Sequence, residues 1–119
     1  MTAQHETTMQ HETTVQHIVL FAYPDDLSAG DDARIRAQIG AWPREIGGMR
    51  ALRFGTDITG TRTRGHQYLL YMEFDDDEAL HTYQQHPVHQ QFLRWVNERD
   101  CVPLAFDYHL DYQTVIPTG

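Results

Sequence analysis

His66-Gln67-Tyr68-Leu69-Leu70-Tyr71-Met72-Glu73-Phe74-Asp75-Asp76-Asp77-Glu78 contains the change of period on which the fold turns. Successive side chains of an extended chain point to opposite faces, so Tyr68, Leu70, Met72 and Phe74 share one face and Gln67, Leu69, Tyr71 and Glu73 the other. The first set is wholly apolar and predicts a strand over residues 66–74 with a core on that side. The carboxylates that follow stand where a helix N-terminus favours negative charge, and Leu80 and Tyr83 then recur at helical spacing. A calcium loop would spread its oxygens around a Gly turn, so the acidic run reads as a helix start and not as a metal site.

Toward the N-terminus, residues 56–65, rich in Thr, Gly and Arg, read as a loop, and residues 49–54 as a strand between Gly47-Gly48 and Gly55. Before the glycines, Ile35, Ile39, Trp42 and Ile46 recur at intervals of four, three and four, which is one stripe of a helix. Ser28, with Asp31 three residues on, makes a capping-box-like start for it. Pro43 predicts a kink or an end, because proline lacks the N–H and crowds the preceding turn. Residues 16–23 read as a first strand with His17, Val19, Phe21 and Tyr23 on one face and Ile18, Leu20 and Ala22 on the other; Pro24-Asp25-Asp26 ends it. Residues 1–15 contain a direct repeat, Gln4-His5-Glu6-Thr7-Thr8 and Gln10-His11-Glu12-Thr13-Thr14, with no apolar face, and read as a polar tail. The six-residue spacing of His5, His11 and His17 does not close a chelate, and no Cys or carboxylate cluster accompanies it.

Toward the C-terminus, the helix of Leu80 and Tyr83 breaks at His86-Pro87 and resumes with Val88, Phe92, Trp95 and Val96, flanked by His89 and Leu93. Residues 102–112 read as a last strand with Leu104, Phe106, Tyr108, Leu110 and Tyr112 in alternation, and Pro103 keeps its start at an edge. Residues 113–119 form a C-terminal tail. The order β-α-β-β-α-β predicts an α+β, ferredoxin-like domain over residues 16–112, a four-stranded antiparallel sheet with its helices on one face. Apolar residues on both faces of the first and last strands leave the other face in need of a cover. A second copy of the chain supplies it most simply, so a homodimer through the sheet faces is expected.

Tyr83-Gln84-Gln85-His86-Pro87-Val88-His89 is the leading site candidate, because three groups able to hold or move protons lie in one constrained stretch. Pro87 suits the first turn of a new helix and pushes His86 into an extended conformation, so His86 reads as a helix-stop residue. His89 then lies in the first turn, where the positive end of the helix dipole keeps an imidazole neutral and usable as a base. Tyr83, ending the preceding helix, brings a phenol toward that imidazole. Against this stands the plainer reading of Tyr83 as a core aromatic and His89 as a half-buried polar group.

With 119 residues the chain fits one domain. No apolar run approaches the ~20 residues of a membrane helix, and the N-terminus lacks the apolar core of a signal peptide, so a cytoplasmic protein is expected. A formal charge of −8 argues against nucleic acid as a partner. All nine basic residues are Arg, which excludes Schiff-base chemistry on Lys and a phosphate-loop Lys. The single Cys101 excludes an internal disulfide and a Cys-rich zinc site.

These residues resemble the stress-responsive dimeric α/β-barrel (Dabb) family. The resemblance rests on His17-Ile18-Val19-Leu20-Phe21, on Gly47-Gly48-Met49-Arg50 through to Gly55, on residues 65–74 before the acidic run, on Tyr83-x-x-His86-Pro87-x-His89 and on Phe106-Asp107-Tyr108, and spans residues 16–109. It implies a dimeric α+β barrel with a hydrophobic pocket between sheet and helices in each protomer. The family contains stress proteins without established chemistry and polyketide cyclases of the olivetolic acid cyclase type. Similarity to the latter implies Tyr83 and His89 as catalytic residues, with His17, Val19, Leu70, Tyr68 and His66 binding a small hydrophobic substrate. Tyr68 stands where such a cyclase has a pocket His, and His66 lies two residues earlier on the same face. The reaction so implied is an intramolecular aldol cyclisation that needs neither metal nor organic cofactor. Its rivals are an isomerase, lyase or monooxygenase of the same barrel type, and a non-catalytic stress or ligand-binding dimer.

Overall fold

The computed structural model describes residues 14–22, 27–99 and 103–111. Its elements are β1 (Val15–Phe21), α1 (Ala29–Ile46), β2 (Met49–Thr56), β3 (Tyr68–Phe74), α2 (Asp77–Gln85), α3 (Pro87–Glu98) and β4 (Leu104–Tyr108). The strands form one antiparallel sheet in the order β2-β3-β1-β4. This is the ferredoxin-like arrangement, with the helical layer divided into three pieces by the His86-Pro87 break.

Local chemistry sets the helix ends. Ser28 is the N-cap of α1, its Oγ accepting from the Asp31 N–H at 3.0 Å, and Asp76 caps α2, its Oδ1 accepting from the Ala79 N–H at 2.8 Å. The acidic run therefore starts a helix, as its position predicts. Gly48 has φ 73° and faces α2 so closely that an added Cβ would lie 2.9 Å from the Cβ of Ala79. Its carbonyl accepts from the Asp75 N–H at 3.0 Å, which seats the start of α2 beside β2.

One face of the sheet meets the helices. Leu70, Met72 and Phe74 of β3 and Val15 and Phe21 of β1 pack with Ile35, Ile39 and Trp42 of α1, Tyr83 of α2, and Phe92 and Val96 of α3. Each such side chain contributes ~1.5–3 kcal/mol by leaving water. On the opposite face, Leu104 and Phe106 are 58% and 66% exposed. Their register partners Leu20 and Ile18 fall on that same face, because directly opposed residues of an antiparallel pair project together.

Several boundaries differ from expectation. α1 does not end at Pro43 but runs on to Ile46, since the stripe that packs α1 lies on both sides of the proline. β2 passes Gly55 to Thr56, because both residues still pair with β3. β3 opens at Tyr68, two residues late, where His66 is held instead in a turn by its N–H to the Thr63 carbonyl. β4 spans only Leu104–Tyr108, and its alternating apolar set faces the open side of the sheet. β1 begins at Val15, which is buried together with Thr14. The repeat through residue 13, Tyr23 and the turn after it, Cys101, and residues 112–119 lie outside the described residues.

Candidate functional site

The break between α2 and α3 is built as its residue types demand. His86, with φ −67° and ψ 136°, takes the extended conformation that a following proline favours and is the N-cap of α3, its Nδ1 accepting from the Val88 N–H at 3.2 Å. Pro87 opens the helix, where its missing N–H costs nothing. His86 is thus engaged in capping. The new helix axis brings His89, 8% exposed, onto the face that also buries Phe92 and Val96.

His89 and Tyr83 meet across the break with ring centroids 4.1 Å apart. Trp42 packs edge-on against both, at 5.7 Å from each, and its buried indole N–H has no hydrogen-bond partner among the described residues. On the sheet side, His17 lies 5.5 Å from the Tyr83 ring, and its Nδ1 pairs with Oδ1 of Asp107 on β4. His17, Trp42, Tyr83 and His89 line a cavity of about 300 Å³, at the lower end of the range for small-molecule sites, and Asp107 stands behind His17. The other walls are mostly apolar: Val19, Phe21, Leu70, Phe92, Leu93 and Val96. Gln84, Gln85 and Gln90 border it at the helix break, and Pro103 and Ala105 at the start of β4.

The two central groups have opposite protonation tendencies. Burial lowers the imidazole of His89 below its ordinary value; the Gln84 carbonyl works against this, and positive charge on His17 or His86 adds to it. The neutral imidazole is favoured in the direction expected from the helix terminus, with burial as the main cause. The ring accepts a tautomer as well: Nδ1–H faces the Gln84 carbonyl at 3.4 Å, leaving the lone pair on Nε2. Tyr83 is driven far above its ordinary value by burial and by the charge of Asp107, so the phenol keeps its proton.

Of the residues assigned from the sequence, His89, Tyr83, His17, Val19 and Leu70 come together around this cavity. Tyr68 and His66 do not line it. Tyr68 stacks on Phe21 at 5.6 Å and donates its hydroxyl to Asp32 at 3.3 Å, while Nδ1–H of His66 donates to the Thr63 carbonyl at 2.9 Å. The sequence reading gave no role to Asp107, whose place beside His17 depends on the pairing of strands ninety residues apart. It treated Trp42 only as part of a core stripe. Among the described residues no group of three His, Cys, Asp or Glu side chains is placed to hold a metal ion, and no helix is long and apolar enough to cross a membrane.

Comparison with known proteins returns the same fold. A dimeric protein of ferredoxin-like fold from Bacteroides fragilis is 25% identical, with 82% of this chain and 96% of that chain covered and a TM-score of 0.65. The hydroxynitrile lyase of Passiflora edulis is similar over 87% of this chain and 99% of its own, at 19% identity and a TM-score of 0.76. SnoaB, a cofactor-independent oxygenase from Streptomyces nogalater, is similar over 85% of this chain and 96% of its own, at 10% identity and a TM-score of 0.66. A search of the curated proteins found no match. The family model described as the stress-responsive A/B barrel domain matches residues 15–109, from the first residue of β1 to just past β4, and the chain belongs to this Dabb family.

Proposed function

We propose that this protein is a cofactor-independent acid–base enzyme that cyclises a small, largely apolar carbonyl compound of the polyketide-derived kind by an intramolecular aldol reaction. The observation that carries the reading is the 4.1 Å contact between the Tyr83 and His89 rings on the wall of an apolar cavity. His89 Nε2 takes a proton from a carbon flanked by carbonyls, and the C–H electron pair becomes an enolate. The enolate carbon attacks a second carbonyl of the same molecule, forming the C–C bond and leaving an alkoxide. Tyr83 gives its proton to the alkoxide, and the His89 imidazolium returns the proton to the phenolate, so none is gained or lost overall. A positioned base contributes ~10²–10⁴ in rate. The apolar walls add to this by holding the two carbonyl carbons in reach of each other.

The fold shared with a lyase and a cofactor-independent oxygenase supports barrel chemistry of this general kind. A short linear triketone, with one methylene between its first and second carbonyls and three between its second and third, tests it directly, because the flanked carbon closes a six-membered ring on the third carbonyl. The reading expects a cyclic product of unchanged mass, or lighter by one water, and loss of turnover in His89→Gln and Tyr83→Phe at unchanged melting temperature. Oxygen consumption would place the protein with the oxygenases, and cleavage of a cyanohydrin with the lyases. Binding of the triketone without conversion would leave a ligand-binding dimer. The open sheet face with Leu104 and Phe106 fits a second copy of the chain, in keeping with the dimeric ferredoxin-like relative. A purely monomeric sedimentation profile at micromolar concentration would overturn the dimer.

A further inference from the structure

The aldol steps leave one wall of the cavity without a role. His17, 5% exposed, and Asp107 are directly opposed across β1 and β4, so both side chains leave the sheet on the cavity face and pair through Nδ1 and Oδ1. A carboxylate only accepts, so the proton of the neutral imidazole sits on Nδ1 and the lone pair on Nε2. Among the described residues Nε2 of His17 has no hydrogen-bond partner. The titratable and aromatic groups packed around the ring are Asp107 on β4, Phe74 on β3, Tyr83 on α2 and, beyond it, His89 on α3. The cavity therefore holds two imidazoles, one on the helix wall and one on the sheet wall, with the Tyr83 phenol against both.

Two bases on different walls answer a geometric need of the reaction. The methylene that becomes the nucleophile carries two hydrogens on opposite sides. Forming the ring removes one of them, and eliminating water from the resulting β-hydroxy ketone removes the other. A ring that keeps one orientation between the helix and sheet walls presents one hydrogen to each, so a base on each wall reaches both without the ring turning over.

We propose that His17 is the base of a second, dehydrating step, and that Asp107 is its positioning residue. Nε2 of His17 takes the remaining proton from the carbon between the carbonyl and the new C–OH. That electron pair forms the C=C bond, the C–O bond breaks, and the departing hydroxide takes the proton back from the imidazolium as water. Asp107 fixes the Nδ1–H tautomer and offsets the positive charge while it lasts, the role a carboxylate plays behind a catalytic His. The product class is thus a cyclic enone, or the aromatic ring that such enones become when further carbonyls are present.

The inference rests on the acid–base reading of the cavity, and the triketone probe separates the two on the full chain. Wild type yields the enone. His17→Gln and Asp107→Asn shift the product toward the β-hydroxy ketone, one water heavier, lowering the enone-to-hydroxyketone ratio by about 10²-fold, the lower range for a positioned base; Asp107→Glu restores part of it. A merely structural Asp107 would move the melting temperature and leave this ratio alone, and enone in wild-type proportion from both variants overturns the proposal. A wild type that leaves the triketone untouched overturns the acid–base reading and this step with it. Independently of turnover, imidazole ¹⁵N spectra place the His17 proton: Nδ1–H supports the dyad, and Nε2–H overturns it.

Discussion

Two prolines occur in the helical layer, and they have opposite consequences. Trp42-Pro43 lies inside α1, which continues to Ile46, whereas His86-Pro87 divides α2 from α3. The difference lies in what surrounds each ring. Around Pro43 the apolar stripe keeps its phase, with Ile39 and Trp42 before it and Ile46 after it packed on the same core. Holding the helix there offsets the hydrogen bond that proline cannot make. At Pro87 the residue before the ring is an extended His86 whose own Nδ1 caps the next helix, and Asp76 gives α2 a separate start. A proline breaks a helix where packing and capping agree with it. Here the break is also what turns His89 toward Tyr83.

Four experiments would break or sharpen this contrast. If the stripe is what carries α1 through Pro43, Trp42→Ala should lose ~3–5 kcal/mol in urea unfolding; a loss below ~1 kcal/mol would mean that other contacts hold the helix. Pro43→Ala should instead gain roughly 2 kcal/mol, the ~3 kcal/mol cost of an interior proline less up to ~1 kcal/mol from a freer unfolded chain. His86→Ala removes the cap of α3 and should cost ~1 kcal/mol. Its turnover should fall by more than its stability, because the break then no longer fixes His89. The smallest effect is a pH slope. The folded-state value of His89 lies below its ordinary 6.5, so the unfolded chain takes up that proton first as the pH falls. The stability it contributes is complete above about 6.5 and lost as the pH drops below it, and His89→Gln should flatten this acid limb in unfolding titrations.

Legibility followed the range of the interactions involved. The faces of β3, the stripe of α1, the cap at the acidic run and the His86-Pro87 break could all be read, because each is a local rule of period, capping or dihedral preference. Tyr83 and His89 were found for the same reason, since they sit six residues apart across a break that their own segment encodes. Asp107 was legible only as the middle of Phe106-Asp107-Tyr108, because nothing in that stretch shows that its carboxylate meets His17. Tyr68 and His66 were placed by alternation alone, which gives the face of a strand but not the point along it at which a cavity opens.

The sequence by itself determined the order of elements, their buried faces and the neighbourhood of Tyr83 and His89, all consequences of backbone geometry acting over a few residues. Only the tertiary structure decided that α1 survives Pro43, that the apolar set of β4 faces outward, and that β4 delivers Asp107 to His17. Those outcomes depend on packing and strand register between residues far apart in the chain, and their energies are fixed only once the layers have met.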